Sequence, residues 1–134
     1  MDKAMKGPHM ATITLKGEFT DLNTYIKADR TNRYLGGSLK KEETGRVWAD
    51  TRKFKGLINE VVHIRFDWYV KNAKKDPDNI SFAKKFILDG LVMAGVLPND
   101  TFKYICSFED HFHVEKKSQK VEIRFFQGDI KYEN

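Results

Sequence analysis

Residues 61–70, VVHIRFDWYV, form the most strand-like run of the chain, rich in β-branched and aromatic side chains that favour a pleated, half-buried surface. Downstream, Ile80, Ala83, Ile87, Leu91 and Ala94 recur at the 3-4 spacing of one helix face, which predicts a helix over 79–94. Gly95 suits a left-handed C-terminal cap, and Pro98 prevents the helix from resuming. Upstream, residues 11–19 (ATITLKGEF) alternate apolar and polar as a strand does. Thr20-Asp21 is placed to cap a helix that opens with Leu22 and turns Tyr25 and Ile26 inward. That helix is expected to break near Gly36-Gly37, with a second over 39–53. Residues 102–108 and 121–126 read as two strands of a long hairpin turned at Lys116-Lys117-Ser118-Gln119. The order β-αα-β-α-β-β predicts an α+β fold, a mixed sheet of about four strands with helices packed on it.

A length of 134 residues is right for one domain, and 40% hydrophobic with 13% aromatic residues suits a folded globule. No apolar run approaches the roughly 18 residues of a membrane span, and no charged start leads into a secretory apolar segment. Cys106 is the only cysteine, so no internal disulfide forms, and it reads as a small buried hydrophobe. A cytoplasmic location is expected. Residues 1–10, ending in Gly7-Pro8-His9-Met10, resemble a cloning remnant and are set aside, leaving 11–134 as the domain.

The net charge is +5 and unevenly spread. Lys27, Arg30, Arg33, Lys40, Lys41, Arg46, Arg52 and Lys53 face only Asp29, Glu42, Glu43 and Asp50 within the same stretch. Five lysines between Lys71 and Lys85 surround Asp76 and Asp78. A basic surface carrying a few clustered acids is the pattern of an enzyme that handles a polyanion.

The acids lie in Lys74-Lys75-Asp76-Pro77-Asp78-Asn79. Pro77 fixes its own φ and holds Asp76 out of the helical region. In an extended segment residues two apart point the same way, so Asp76 and Asp78 can address one cation. An N-cap role for Asp78 is the competing explanation, and it leaves Asp76 unexplained. A calcium loop starting at Asp76 fails, because Ser81 and Ile87 occupy the places of its glycine and glutamate. Asn72 to Lys75 separate the acids from the preceding strand, which argues against an aspartyl-phosphate nucleophile. Asp78, Ser81, Lys85 and Asp89 form one polar helix stripe. On it, Lys85 can lean back toward a phosphate at the metal, or pair with Asp89 one turn on.

Taken together, Leu22-Asn23-x-Tyr25-Ile26, Arg30, Asn32-Arg33-Tyr34, Asp76-Pro77-Asp78-Asn79, Lys85, Asp89-Gly90-Leu91, Ala94-Gly95-Val96 and Asn99-Asp100 resemble the RusA family of Holliday junction resolvases. The likeness spans residues 13–125 and is strongest to versions carried by phages and prophages of Gram-positive bacteria. It implies a RusA-like, two-fold homodimeric endonuclease that cuts four-way DNA junctions using Mg²⁺, with Mn²⁺ as a substitute. Its three essential aspartates match Asp76, Asp78 and Asp100, the expected metal ligands, and its helix lysine matches Lys85. The chain departs from the family in a longer helix before Lys85 and in Asn99, an amide where the first acid of a pair stands. Asp100 is therefore the expected ligand of that pair.

On this reading Lys27, Arg30, Arg33, Lys71, Lys74 and Lys75 grip DNA backbone phosphates. Tyr34, Trp48 and Trp68 are expected in the core rather than stacked on bases. A straight helix from Asp78 to Gly95 advances about 25 Å, whereas Gly95 to Asp100 returns about 17 Å at most. Asp100 then either runs straight back to its own site or completes that of a second subunit, and the two-fold symmetry of paired cuts favours the latter. Two rivals stay open: a branched-DNA-binding module without chemistry, and a metal-dependent nuclease for flaps or single strands. His111 and His113 share one strand face, but their spacing is not that of a structural zinc site.

Overall fold

The computed structural model describes residues 7–129. Four strands, β1 (His9–Lys16), β2 (Val62–Val70), β3 (Ile105–Val114) and β4 (Lys120–Gln127), form one mixed sheet in the order β1-β4-β2-β3. Four helices, α1 (Leu22–Thr31), α2 (Arg33–Thr51), α3 (Pro77–Ser81) and α4 (Lys84–Met93), complete the α+β fold, with a short 3-10 turn at Arg52–Phe54.

The run at 61–70 takes the interior position that its composition demands. β2 pairs in parallel with β3 and antiparallel with β4, so neither of its edges meets water. Ile64, Phe66 and Trp68 are buried on one face with Ile13, Leu15, Val121, Ile123 and Phe125 from β1 and β4. Phe86, Ile87 and Leu91 of α4 close the core from above. β3 and β4, expected as a hairpin, are not neighbours, because β2 lies between them. The most apolar strand displaces the local pairing: burying it on both sides outweighs the short connection between β3 and β4.

The helices differ from expectation in two places. The first break falls at Asn32, not at Gly36-Gly37, and α2 runs through both glycines. Asn32 adopts an extended conformation and its side chain accepts from the Tyr34 N–H, so it ends α1 and caps α2 at once. Gly36 serves proximity instead: a Cβ there would strike the Asp29 carboxylate of α1. The helix expected over 79–94 is divided into α3 and α4. At the joint, Ala83 and Lys85 donate to the carbonyls three residues back, and Phe82 packs onto Tyr25 and Phe86. The predicted apolar face holds, with Ala83, Ile87, Leu91 and Ala94 buried.

Gly95 caps α4 at φ +74°, and the Val96 N–H returns to the Leu91 carbonyl. α2 meets α4 at Gly90, where a Cβ would come within 2.5 Å of Val47 Cβ and 2.9 Å of the Thr44 carbonyl oxygen. Gly7–Met10, set aside with the first six residues, join the sheet: Gly7 donates to the Gln127 carbonyl at 2.7 Å, and His9 opens β1. Residues 1–6 lie outside the described residues. Trp68 is a core residue as expected, but Trp48 is partly exposed and Tyr34 is 84% exposed. No described helix is long and apolar enough to cross a membrane.

Candidate metal and DNA site

Asp76 is the N-cap of α3, Pro77 its first residue, and Asp78 lies in its first turn. The N-cap position, the competing explanation for Asp78, is therefore held by Asp76 instead, because Pro77 supplies the pre-set φ of the first helical position. Asp76 has an extended backbone (φ −72°, ψ 152°), yet its side chain makes no capping bond. Both carboxylates face solvent. No hydrogen bond or ion pair engages either of them among the described residues.

Asn79 fastens this segment to its neighbour: its side-chain oxygen accepts the Asn23 N–H of α1 at 2.9 Å. α1 and the start of α2 carry Lys27, Arg30 and Arg33, all exposed. The two acids of the loop thus share a surface region with basic side chains that make no ion pair among the described residues. Lys71 and Lys74 are exposed as well, and with Asn72, Lys75, Glu18, Val70 and Ile80 they line a depression of about 260 Å³.

Lys75 is differently employed. Its ammonium lies 2.8 Å from Asp21 and 3.9 Å from Glu18. Asp21 caps α1 by accepting the Thr24 N–H at 2.8 Å, as the sequence predicted. Burial pushes the Asp21 carboxyl up, but the Lys75 ammonium and the Thr24 N–H outweigh it and hold the group below the usual range. Glu18 also accepts the Lys71 N–H at 2.8 Å. Lys75 therefore braces the acidic loop against α1, whatever contact it makes with a ligand.

Asp100 lies elsewhere. It lines an open groove of about 670 Å³ between α2 and α4, beside Asp89, Lys40, Lys41, Val92 and Met93. Lys85 is 59% exposed and pairs with Asp89 at 3.4 Å. The wall of this groove includes Thr44, whose buried hydroxyl has no hydrogen-bond partner. Among the described residues no three of His, Cys, Asp and Glu gather into a group that could hold a metal. The extended geometry expected of both acids holds for Asp76 alone, because α3 begins at Pro77 and takes Asp78 into its first turn; Asp100 lines a different region, the groove it shares with Asp89.

Sequence reasoning missed a second charged system on the sheet face opposite the helices. Asp67 is 1% exposed there, held by Arg65 (2.8 and 3.0 Å), Arg124 (2.7 Å) and His113 (2.8 Å). Burial raises its acid constant's exponent, but the three donors and the two guanidinium charges overcome it, so the pKa falls from 3.8 to about 2. His63 is buried between Ser107 and Glu109 of β3, and His111 also bonds Glu109. On the helix side, Asp110 accepts from Trp68 Nε1 at 2.9 Å and Lys84 Nζ at 2.7 Å. The available signal was the polar alternation His63, Arg65, Asp67 within an otherwise apolar strand, which marks one face as charged without naming partners. No protein-family model matches the chain, and no curated protein matches it.

Proposed function

We propose that this protein is a Mg²⁺-dependent, structure-specific endonuclease that resolves four-way DNA junctions as a two-fold homodimer. The observation that carries the reading is the pair of exposed, unpartnered carboxylates of Asp76 and Asp78, tied through Asn79 to a helix whose cations are also unpaired. Hard oxygen donors that leave most of the coordination shell open suit Mg²⁺, which keeps several waters and binds through one or two carboxylates plus a substrate phosphate. Mn²⁺ is the expected substitute. Bound there, the ion would supply a water of lowered pKa and offset charge on the scissile phosphate.

The chain's own residues do the rest. Lys27, Arg30, Arg33, Lys71 and Lys74 hold backbone phosphates and orient the strand without reading its sequence. Lys75 keeps the acidic loop in place through Asp21. Asp100, from the α2–α4 groove, completes the carboxylate set of the second subunit, and Lys85, released from its pair with Asp89, stabilises developing negative charge. The resemblance to the RusA resolvases supplies the junction substrate, and the separation of Asp100 from Asp76 and Asp78 supports the shared site.

The test is a synthetic four-way junction, a flap and a duplex, each incubated with and without Mg²⁺, using wild type and Asp78→Asn. Junction cutting that needs both Mg²⁺ and Asp78 is expected. Equal cutting of all three substrates would leave a general nuclease. Tight, salt-sensitive junction binding with no cutting, unchanged by Asp78→Asn, would leave a binding module.

A further inference from the structure

β3 is an edge strand of ten residues, ICSFEDHFHV, with no described element paired to its outer side. Natural edges are blunted by lysine, proline, bulges or a covering helix. The β3 sequence contains no lysine, proline or glycine; its bulge, at Cys106, lies at the start of the strand, and its inward charge, Asp110, is offset by Lys84, so residues 107–114 stay regular. Its helix-side face instead exposes Phe108 at 44%, Phe112 at 37% and Val114 at 55%. The opposite face carries Ser107, Glu109, His111 and His113. Such an edge is a template for another strand, and the alternation itself says which strand fits.

We infer that a second copy of this chain occupies the edge, its β3 running antiparallel to the first about a two-fold axis through Asp110. In that register Phe108 lies opposite the partner's Phe112, so two aromatic pairs form on the helix side. Glu109 lies opposite the partner's His111 on the other face, twice over by symmetry, adding an opposite-charge pair wherever the imidazole is protonated. The carboxylates nearest the axis do not repel unscreened, because each Asp110 is already paired with its own Lys84 and the Trp68 indole. The two sheets become one of eight strands, with both sets of helices on the same side. The inference names the surface that brings two chains together and does not depend on the metal chemistry proposed above.

Light scattering coupled to size exclusion gives the first measurement. Wild type is expected at twice the chain mass, and Phe112→Lys, which places a charge opposite the partner's Phe108, at the mass of one chain with an unchanged circular dichroism spectrum. A second variant is independent of that substitution. Val114→Cys would face the partner's Cys106 across the axis, whereas the two positions of one chain stand eight residues apart along a strand, about 26 Å. A short bis-maleimide is expected to yield a covalent dimer from Val114→Cys and none once Cys106→Ser is added. A monomeric wild type, a dimer that survives Phe112→Lys, or a Val114→Cys dimer that does not cross-link would overturn the inference. These readouts involve no cleavage, so loss of nuclease activity and loss of the interface are separable.

Discussion

Asp67→Asn is the most informative single change away from the acidic loop. The substitution keeps the shape of the side chain and removes its charge from a site that is 1% exposed and surrounded by Arg65, Arg124 and His113. The fall in pKa from 3.8 to about 2 measures how much more the folded protein favours the ionised form. At about 1.36 kcal/mol per tenfold change in the acid constant, that preference is roughly 2.4 kcal/mol. Because the folded value lies below the unfolded one, this stability is fully present above about pH 4 and is lost as pH falls toward 2. Asp67→Asn is therefore expected to lower stability at neutral pH by roughly 2–3 kcal/mol, and Tm by roughly 7–14 °C for a domain of this size. Urea unfolding of both proteins at several pH values between neutrality and pH 2 provides the assay. The gap between them should close as acid neutralises the wild-type carboxylate. A variant within about 0.5 kcal/mol of wild type at pH 7, or a gap independent of pH, would refute the account of Asp67 as a charge stabilised by its donors.

Mixing an Asp76→Asn chain with an Asp100→Asn chain is expected to restore junction cutting from one intact centre per heterodimer; if each chain builds its own site, the mixture stays inactive. Gly90→Ala would drive a methyl into Val47 and the Thr44 carbonyl, and thermal unfolding should report a loss of about 1–3 kcal/mol or more. Asn79→Ala removes the acceptor of the Asn23 N–H, costing about 1 kcal/mol; hydrogen exchange should show faster opening at the start of α1 with the sheet unaffected.

What the chain disclosed before its structure depended on how local the cause was. The 3-4 spacing from Ala83 to Ala94 and the cap at Gly95 are short-range properties, and both appear in the fold. The division at Phe82 was hidden because the apolar face continues unbroken across it. Asn32 was overlooked as a break because paired glycines nearby gave the louder turn signal, whereas Gly36 is required by the approach of Asp29. The order of the strands could not be read from the segment joining β3 to β4, since the burial of β2 decides it. For the site, the placement of Asp76 and Asp78 at one helix start follows from two peptide bonds and a proline. The remoteness of Asp100 depends on how α4 sits against α2, which involves Gly90 and Val47 from distant parts of the sequence.

The placement of β4 between β1 and β2 bears on how the polypeptide assembles as it is synthesised. Of the four described strands, β1 is made first and β4, its partner, last. Until that closing segment arrives, Ile13 and Leu15 have no sheet to enter, and one flank of β2 stays unsatisfied. Formation of the native sheet is thus expected after translation of residue 127 rather than progressively, and shielding of the early strand by a holding chaperone would be most valuable during that wait.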